Sequence, residues 1–153
     1  MNDQNSKSRM PPPLPLLIGA ILGLIADWFW PWPLGPYAYV LPCGLLVLGL
    51  VIVCVKSLSR AFERHQTSPD PADETTAIAD TGIFGYSRNP AYLSAALLQI
   101  AVGLLFNNVW ILLTFLPAMV VIHYVVVLGE EKYLEAKFGA TYLDYKSRVR
   151  RWL

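Results

Sequence analysis

The chain has 153 residues, enough for one domain, and 55% of them are apolar. Its formal net charge is +1, from 12 Lys and Arg against 11 Asp and Glu; the balance says little, but its distribution says much. Charges are absent from long stretches and crowded into short ones, the pattern of a polytopic membrane protein rather than a soluble core.

Residues 1–13 are polar and then rich in proline, which predicts a disordered, extended N-terminus. Lys7 and Arg9 precede an apolar run, but prolines crowd the junction and no small-residue cleavage site follows. The first span is therefore read as retained, over residues 14–30. Gly19 and Gly23 share one face at the spacing that allows close helix approach, so they permit pairing with another helix or a second copy of the chain. Trp28, Trp30 and Trp32, broken by Pro31 and Pro33, form an interfacial aromatic belt. Asp27, just inside it, is expected to reach toward headgroups.

The second span is predicted over residues 37–58, with Pro42 in its first turn and Lys56, Arg60 and Arg64 at its far end. Cys43 and Cys54 on one helix would lie about 16 Å apart along the axis. That is too far for a disulfide, and they read as apolar fillers; no metal site is expected. A hydrophilic loop spans 59–89. Asn89 suits an N-cap and Pro90 the first position of the third span, 90–106. Asn107 and Asn108 supply a turn into the fourth, 109–128, with a kink expected at Pro117.

From Glu130 to Leu153, Leu134, Phe138, Tyr142, Tyr145, Val149 and Trp152 recur at helical steps, with Lys and Arg on the other faces. This predicts an interfacial helix over 130–153 whose basic side meets anionic headgroups. Gly139 is expected to break it, and Thr141 and Asp144 have the spacing of a capping box for its restart. The expected fold is all-α: a polytopic membrane protein with four transmembrane helices and a C-terminal amphipathic helix, one domain over 14–153. With both termini in the cytosol, every Lys and Arg lies on the cytosolic side and the two outer connections carry no charge. That distribution predicts a bacterial inner membrane, or the endoplasmic reticulum in a eukaryote.

This topology brings two stretches to one membrane face. One is Gly82 to Tyr92, where a loop enters the third span; the other is the pair Glu130 and Glu131. A helix start offers unpaired N–H groups and positive potential, Arg88 adds a fixed charge, and Gly82 and Gly85 allow close backbone approach. Tyr86 and Tyr92 present aromatic faces. A ligand with a carboxylate, a cation and an aromatic base, such as S-adenosylmethionine, would suit the arrangement. The same residues also fit a plainer reading: an arginine that fixes topology, an Asn-Pro cap, and glutamates favouring a helix dipole.

The segment Ser87-Arg88-Asn89-Pro90-Ala91-Tyr92-Leu93, an apolar hairpin, and then Glu130-Glu131 with Leu134, Phe138, Gly139, Tyr142, Tyr145 and Val149 resembles the isoprenylcysteine carboxyl methyltransferase and phospholipid methyltransferase superfamily. The motifs lie in the C-terminal half of the chain. The resemblance implies an integral-membrane enzyme that binds S-adenosylmethionine and methylates a lipophilic acceptor entering from the bilayer: a carboxylate, a phospholipid amine or a thiol. It implies cofactor contacts at Gly82, Gly85, Tyr86, Arg88, Asn89, Pro90, Tyr92, Glu130 and Glu131. Asn89 stands where the eukaryotic enzymes have histidine, and Ser94 where glycine is usual. The arginine of the prenylcysteine enzymes is missing from the segment Val125 to Leu128.

His123 lies seven residues before Glu130, two turns along a regular helix and so on nearly the same face. It is a candidate acceptor-side base or orienting donor, or else a core histidine bonded to a neighbouring helix. The implied chemistry is direct methyl displacement, with the protein positioning both partners and excluding water. Two other classes stay open: a non-catalytic membrane scaffold of the same fold, and a membrane reductase with a related helical core. Membrane lipids and a lipophilic acceptor are the expected partners, with no nucleic acid.

Overall fold

The computed structural model describes residues 14–65 and 78–153. The expectation for residues 1–13, and that for residues 66–77 of the expected loop, lie outside the described residues. Six α-helices are present among the described residues: α1 (Leu14–Phe29), α2 (Tyr37–His65), α3 (Pro90–Leu105), α4 (Val109–Val121), α5 (Leu128–Phe138) and α6 (Ala140–Arg148). A 3-10 turn occupies Gly82–Gly85, and a π-helical segment, Ile122–Val127, joins α4 to α5. There is no strand among the described residues.

α1 packs on α4, α2 on α3, and the α3–α4 hairpin joins the two pairs. The stretches Tyr37–Arg64 and Val109–Phe138 are long and apolar enough to cross a membrane. α1 and α3 are shorter apolar helices. Leu46 and Val53 on α2 and Leu17 and Leu22 on α1 are more than half exposed. Such an apolar surface suits lipid rather than water.

Glycine sets the closest approach. A Cβ on Gly23 would sit 2.7 Å from the Ile111 backbone, and one on Gly19 would meet Thr114 O at 3.3 Å. The Gly19/Gly23 face is therefore occupied by α4 of the same chain and is not free for a second copy. At the α1–α2 and α3–α4 connections, Asn107 adopts φ 51° and ties the two together. Its Oδ1 accepts from the N–H of Leu34 (3.0 Å) and of Gly35 (3.3 Å), while its Nδ2 donates to Gly35 O at 2.9 Å. Trp110 Nε1 donates to Trp30 O at 2.7 Å. Asn108 caps α4 by accepting from Ile111 N at 3.0 Å. Asp27 Oδ1 takes the Trp32 N–H at 3.2 Å, so it closes the turn after α1.

Several boundaries differ from those expected. α2 continues to His65, because Arg60, Ala61 and Glu63 carry good helix propensity past the apolar stretch. Pro42 lies inside it rather than in its first turn. Pro117 also lies within α4; the departure from α geometry comes later, at Ile122–Val127. The fourth helix does not stop at residue 128 but runs through that segment into α5, carrying Glu130 and Glu131 with it. Gly139, at φ 52°, does separate α5 from α6. No side-chain cap forms there: Asp144 instead pairs with Arg148 at 3.0 Å within α6. The helix ends at Arg148, so residues 149–153 form a tail and not a further turn.

Candidate functional site

The meeting point of the two stretches is built by the C-terminal tail. Its backbone runs along the loop before α3, where Arg88 N donates to Arg150 O at 3.0 Å. The carbonyl of Arg151 accepts from Ser87 Oγ at 3.2 Å and from Asn89 Nδ2 at 2.9 Å. Ser87 Oγ also accepts the Asn89 N–H at 3.1 Å. Asn89 holds the N-cap position of α3, yet its side chain makes no cap bond, because it has turned to the tail.

The side chain of Arg151 closes the arrangement. Its Nε donates to Glu131 Oε1 at 2.8 Å and its Nη2 to Glu131 Oε2 at 2.9 Å. Two parallel bonds of this kind are the strongest and most directional pairing a carboxylate makes. Arg88 Nη1 lies 3.2 Å from Glu131 Oε1, and Lys146 Nζ lies 3.9 Å from Oε2. Lys146 also contacts Glu135. Glu131 is buried, with three cations around it. The bond to Glu131 holds the Arg151 guanidinium above its ordinary value.

Glu130, one residue earlier, points elsewhere. Tyr92 donates its phenol to Glu130 Oε1 at 2.6 Å. Adjacent residues on a helix lie about 100° apart, which is why the neighbouring carboxylates serve different partners. Tyr92 is itself buried in the core with Leu16, Ala118, Ile122, Val126 and Val127.

Behind Arg88 stand Tyr142 and Tyr145, buried with Val149 and packed against Ile78, Leu134 and Phe138. Burial pushes both phenols up, and the charge of Glu131 adds to the effect at Tyr142. Both therefore stay neutral at physiological pH, and Tyr142 accepts a side-chain hydrogen bond from Arg88. Tyr145 donates to Phe84 O at 2.8 Å, and the Phe84 ring meets Phe62 of α2 edge-on at 5.7 Å. These contacts fix the 3-10 turn between α2 and α6.

The sequence-derived residues thus fall into two groups. Arg88, Asn89, Pro90, Tyr92, Glu130 and Glu131 come together around the tail. Gly82 and Tyr86 line a separate groove against the end of α2, and Gly85 is exposed beside them. His123 sits in the π-helical segment, where Leu128 N–H donates to the His123 carbonyl five residues back. The wider turns undo the seven-residue face argument that linked His123 to Glu130. His123 Nδ1 instead accepts from Trp152 Nε1 at 3.3 Å.

Ser87, Arg151 and Trp152 were not singled out from the sequence as site residues. Arg151 reads there as one of several basic residues facing headgroups, and nothing local marks it as the partner of a glutamate twenty positions earlier. Trp152 is visible as part of the apolar stripe, but not as a partner of histidine.

Comparison with known proteins follows these residues closely. The family model of phospholipid methyltransferases matches residues 37–141, which include both stretches but not the tail. An uncharacterized protein of Haemophilus influenzae is 42% identical over 62 residues, 40% of this chain and 98% of its own length. The protein-S-isoprenylcysteine O-methyltransferase of Saccharomyces cerevisiae is 29% identical over 112 residues, 72% of this chain. The match spans 46% of that yeast enzyme. No solved structure matches the chain.

Proposed function

The chain belongs to the phospholipid methyltransferase family, and we propose that it is an integral-membrane enzyme transferring the methyl group of S-adenosylmethionine to a lipophilic acceptor. In this reading four helices span the bilayer, α6 and the tail lie at its cytosolic face, and both termini are cytosolic. The uncharged connections around Pro33 and Asn107 support that orientation.

The observation that carries the cofactor assignment is Arg88. Its side chain is 7% exposed, and its Nε and Nη1 have no hydrogen-bond partner. Its approach to Glu131 is an ion pair that lacks hydrogen-bond geometry. A buried guanidinium with two unused donors is costly unless a ligand satisfies it. A carboxylate is the complementary group, so the residues present fit the cofactor.

The resemblance assigned both glutamates to the cofactor; the geometry supports a division of roles. Glu131 has both oxygens engaged by Arg151 and serves to position Arg88. Glu130 is bonded through one oxygen to Tyr92 and keeps its second available for a ligand cation. When bound, S-adenosylmethionine supplies an electrophilic methyl group on a sulfonium centre. Arg88 would orient its carboxylate and Glu130 its positive charge. Ser87 and Asn89 act through the Arg151 carbonyl and position the start of α3.

His123 fits the role of an orienting donor better than that of a base. With Nδ1 accepting from Trp152, the neutral ring carries its proton on Nε2 and offers a donor there. Gly82, Gly85 and Tyr86, placed at the groove, have no support from this cluster as cofactor contacts.

The test is transfer of tritiated methyl from S-adenosylmethionine into the organic phase of a membrane lipid extract by the purified full chain. Extractable label from wild type, lost in Arg88→Gln, supports the reading. A folded wild type that labels no lipophilic acceptor and binds reduced nicotinamide instead would point to a reductase.

A further inference from the structure

A groove of about 340 Å³ opens between the last turns of α2 and the Gly82–Gly85 turn. Arg60 and Arg64 line one wall, with Gly82 and Tyr86 on the other. Four residues apart on one helix, the two arginines are neighbours on the same face. Both are exposed, and neither side chain makes an ion pair or hydrogen bond to another described residue. Like charges so placed repel by a few tenths of a kcal/mol, which an anion lying between them would relieve.

The opposite wall suits an anion as well. Tyr86 is 80% exposed, so its phenol is available as a donor. Gly82, at φ 64°, has nothing within 4 Å of the position a Cβ would take, which leaves room beside the arginines. The frame is rigid: Phe62 holds Phe84 at 5.7 Å, and Tyr145 holds the Phe84 carbonyl. Glu63, the neighbouring acid on α2, does not line the groove.

Depth bears on the source of the anion. The uncharged part of α2 runs from Tyr37 to Val55, about 28 Å of helix, close to the thickness of a bilayer hydrocarbon core. Lys56 marks its end. Arg60 and Arg64 lie about 6 and 12 Å beyond Lys56, at the level of headgroup phosphates.

We propose that this groove seats a phosphate group, held by Arg60 and Arg64 with Tyr86 as a third donor. The group belongs either to the headgroup of an anionic phospholipid or to a soluble phosphate; the depth of the arginines favours the lipid. The site is separate from the Arg88 cluster and does not rest on the methyltransferase reading.

Native mass spectrometry of the full chain, released from phosphatidylcholine nanodiscs with graded phosphatidylglycerol, tests this directly. Wild type should retain phosphatidylglycerol, and R60Q/R64Q should bind it roughly 30-fold more weakly, from about 1 kcal/mol per lost charge. K132Q/R150Q removes two cations outside the groove and should retain the lipid. Millimolar inorganic phosphate that displaces the lipid from wild type assigns the groove to soluble phosphate, while phosphate without effect assigns it to the headgroup. Equal retention by wild type and R60Q/R64Q overturns the proposal, as does equal loss in K132Q/R150Q or no retention by wild type. Should R60Q/R64Q fail to fold, Tyr86→Phe carries the test, with about a fivefold loss expected from one hydrogen bond and no loss overturning it.

Discussion

Arg151 grips both oxygens of Glu131, at 2.8 and 2.9 Å, from a tail that follows the last helix. The pair joins the end of the chain to the helix that carries both glutamates. Removing Arg151 deletes two charge-assisted bonds and leaves Glu131 to Arg88 and Lys146. Arg151→Ala should therefore destabilise the protein by about 2 kcal/mol, read as a lower midpoint in thermal unfolding in detergent. Arg151→Lys should recover only part of this, because an ammonium cannot make the two-pronged contact. Full recovery by lysine would mean that charge alone matters.

The division between the glutamates predicts phenotypes that differ in stability. Glu131→Gln breaks the buried cluster and should lower both stability and cofactor affinity. Glu130→Gln keeps a partner for Tyr92 and should lower affinity at unchanged stability. Parallel unfolding and binding curves for the two variants decide this, and identical behaviour would contradict the assignment.

The α1–α4 contact predicts a steric effect at a residue far from the site. A methyl on Gly23 would fall 2.7 Å from the Ile111 backbone, which cannot rotate aside. Gly23→Ala should cost about 1–3 kcal/mol through overpacking. Gly49→Ala, with open space around it, should cost nothing and serves as the control in the same unfolding assay.

Alkaline pH should loosen the tail. Tyr142 and Tyr145 are both raised by burial, so the folded state keeps protons that the unfolded chain releases above about pH 10. Stability is thus unaffected below that value and falls above it, by up to about 1.4 kcal/mol per pH unit for each phenol. Tyr145→Phe should flatten the decline between pH 10 and 11, measured by denaturant unfolding. An unchanged slope would mean that the phenol titrates equally in both states.

Much of this architecture is written locally. The apolar runs, Pro90 behind Asn89, and the Asn107-Asn108 turn place α3, and the start of α4, to within a residue, because helix propensity and turn chemistry act over short distances. The convergence of Arg88 and Tyr92 on the glutamates was also legible, since a short hairpin returns its two ends to one side. Two features were not. The π-helical segment carries no composition signal, so a regular helix was expected through His123. The partnership of Arg151 with Glu131 depends on how the tail folds back, and one arginine among several basic neighbours looks like any other. The glycines were read correctly as a close-packing face, but the partner helix lies within the chain.

The central claim rests on whether the Arg88 cluster binds the methyl donor. Equilibrium binding of labelled S-adenosylmethionine to the full chain in lipid nanodiscs, for wild type and for Glu130→Gln with Glu131→Gln, measures this most directly. The account predicts saturable binding by wild type that the double variant loses. A folded wild type that binds none would contradict it, and binding that survives in the double variant would place the cofactor away from these glutamates.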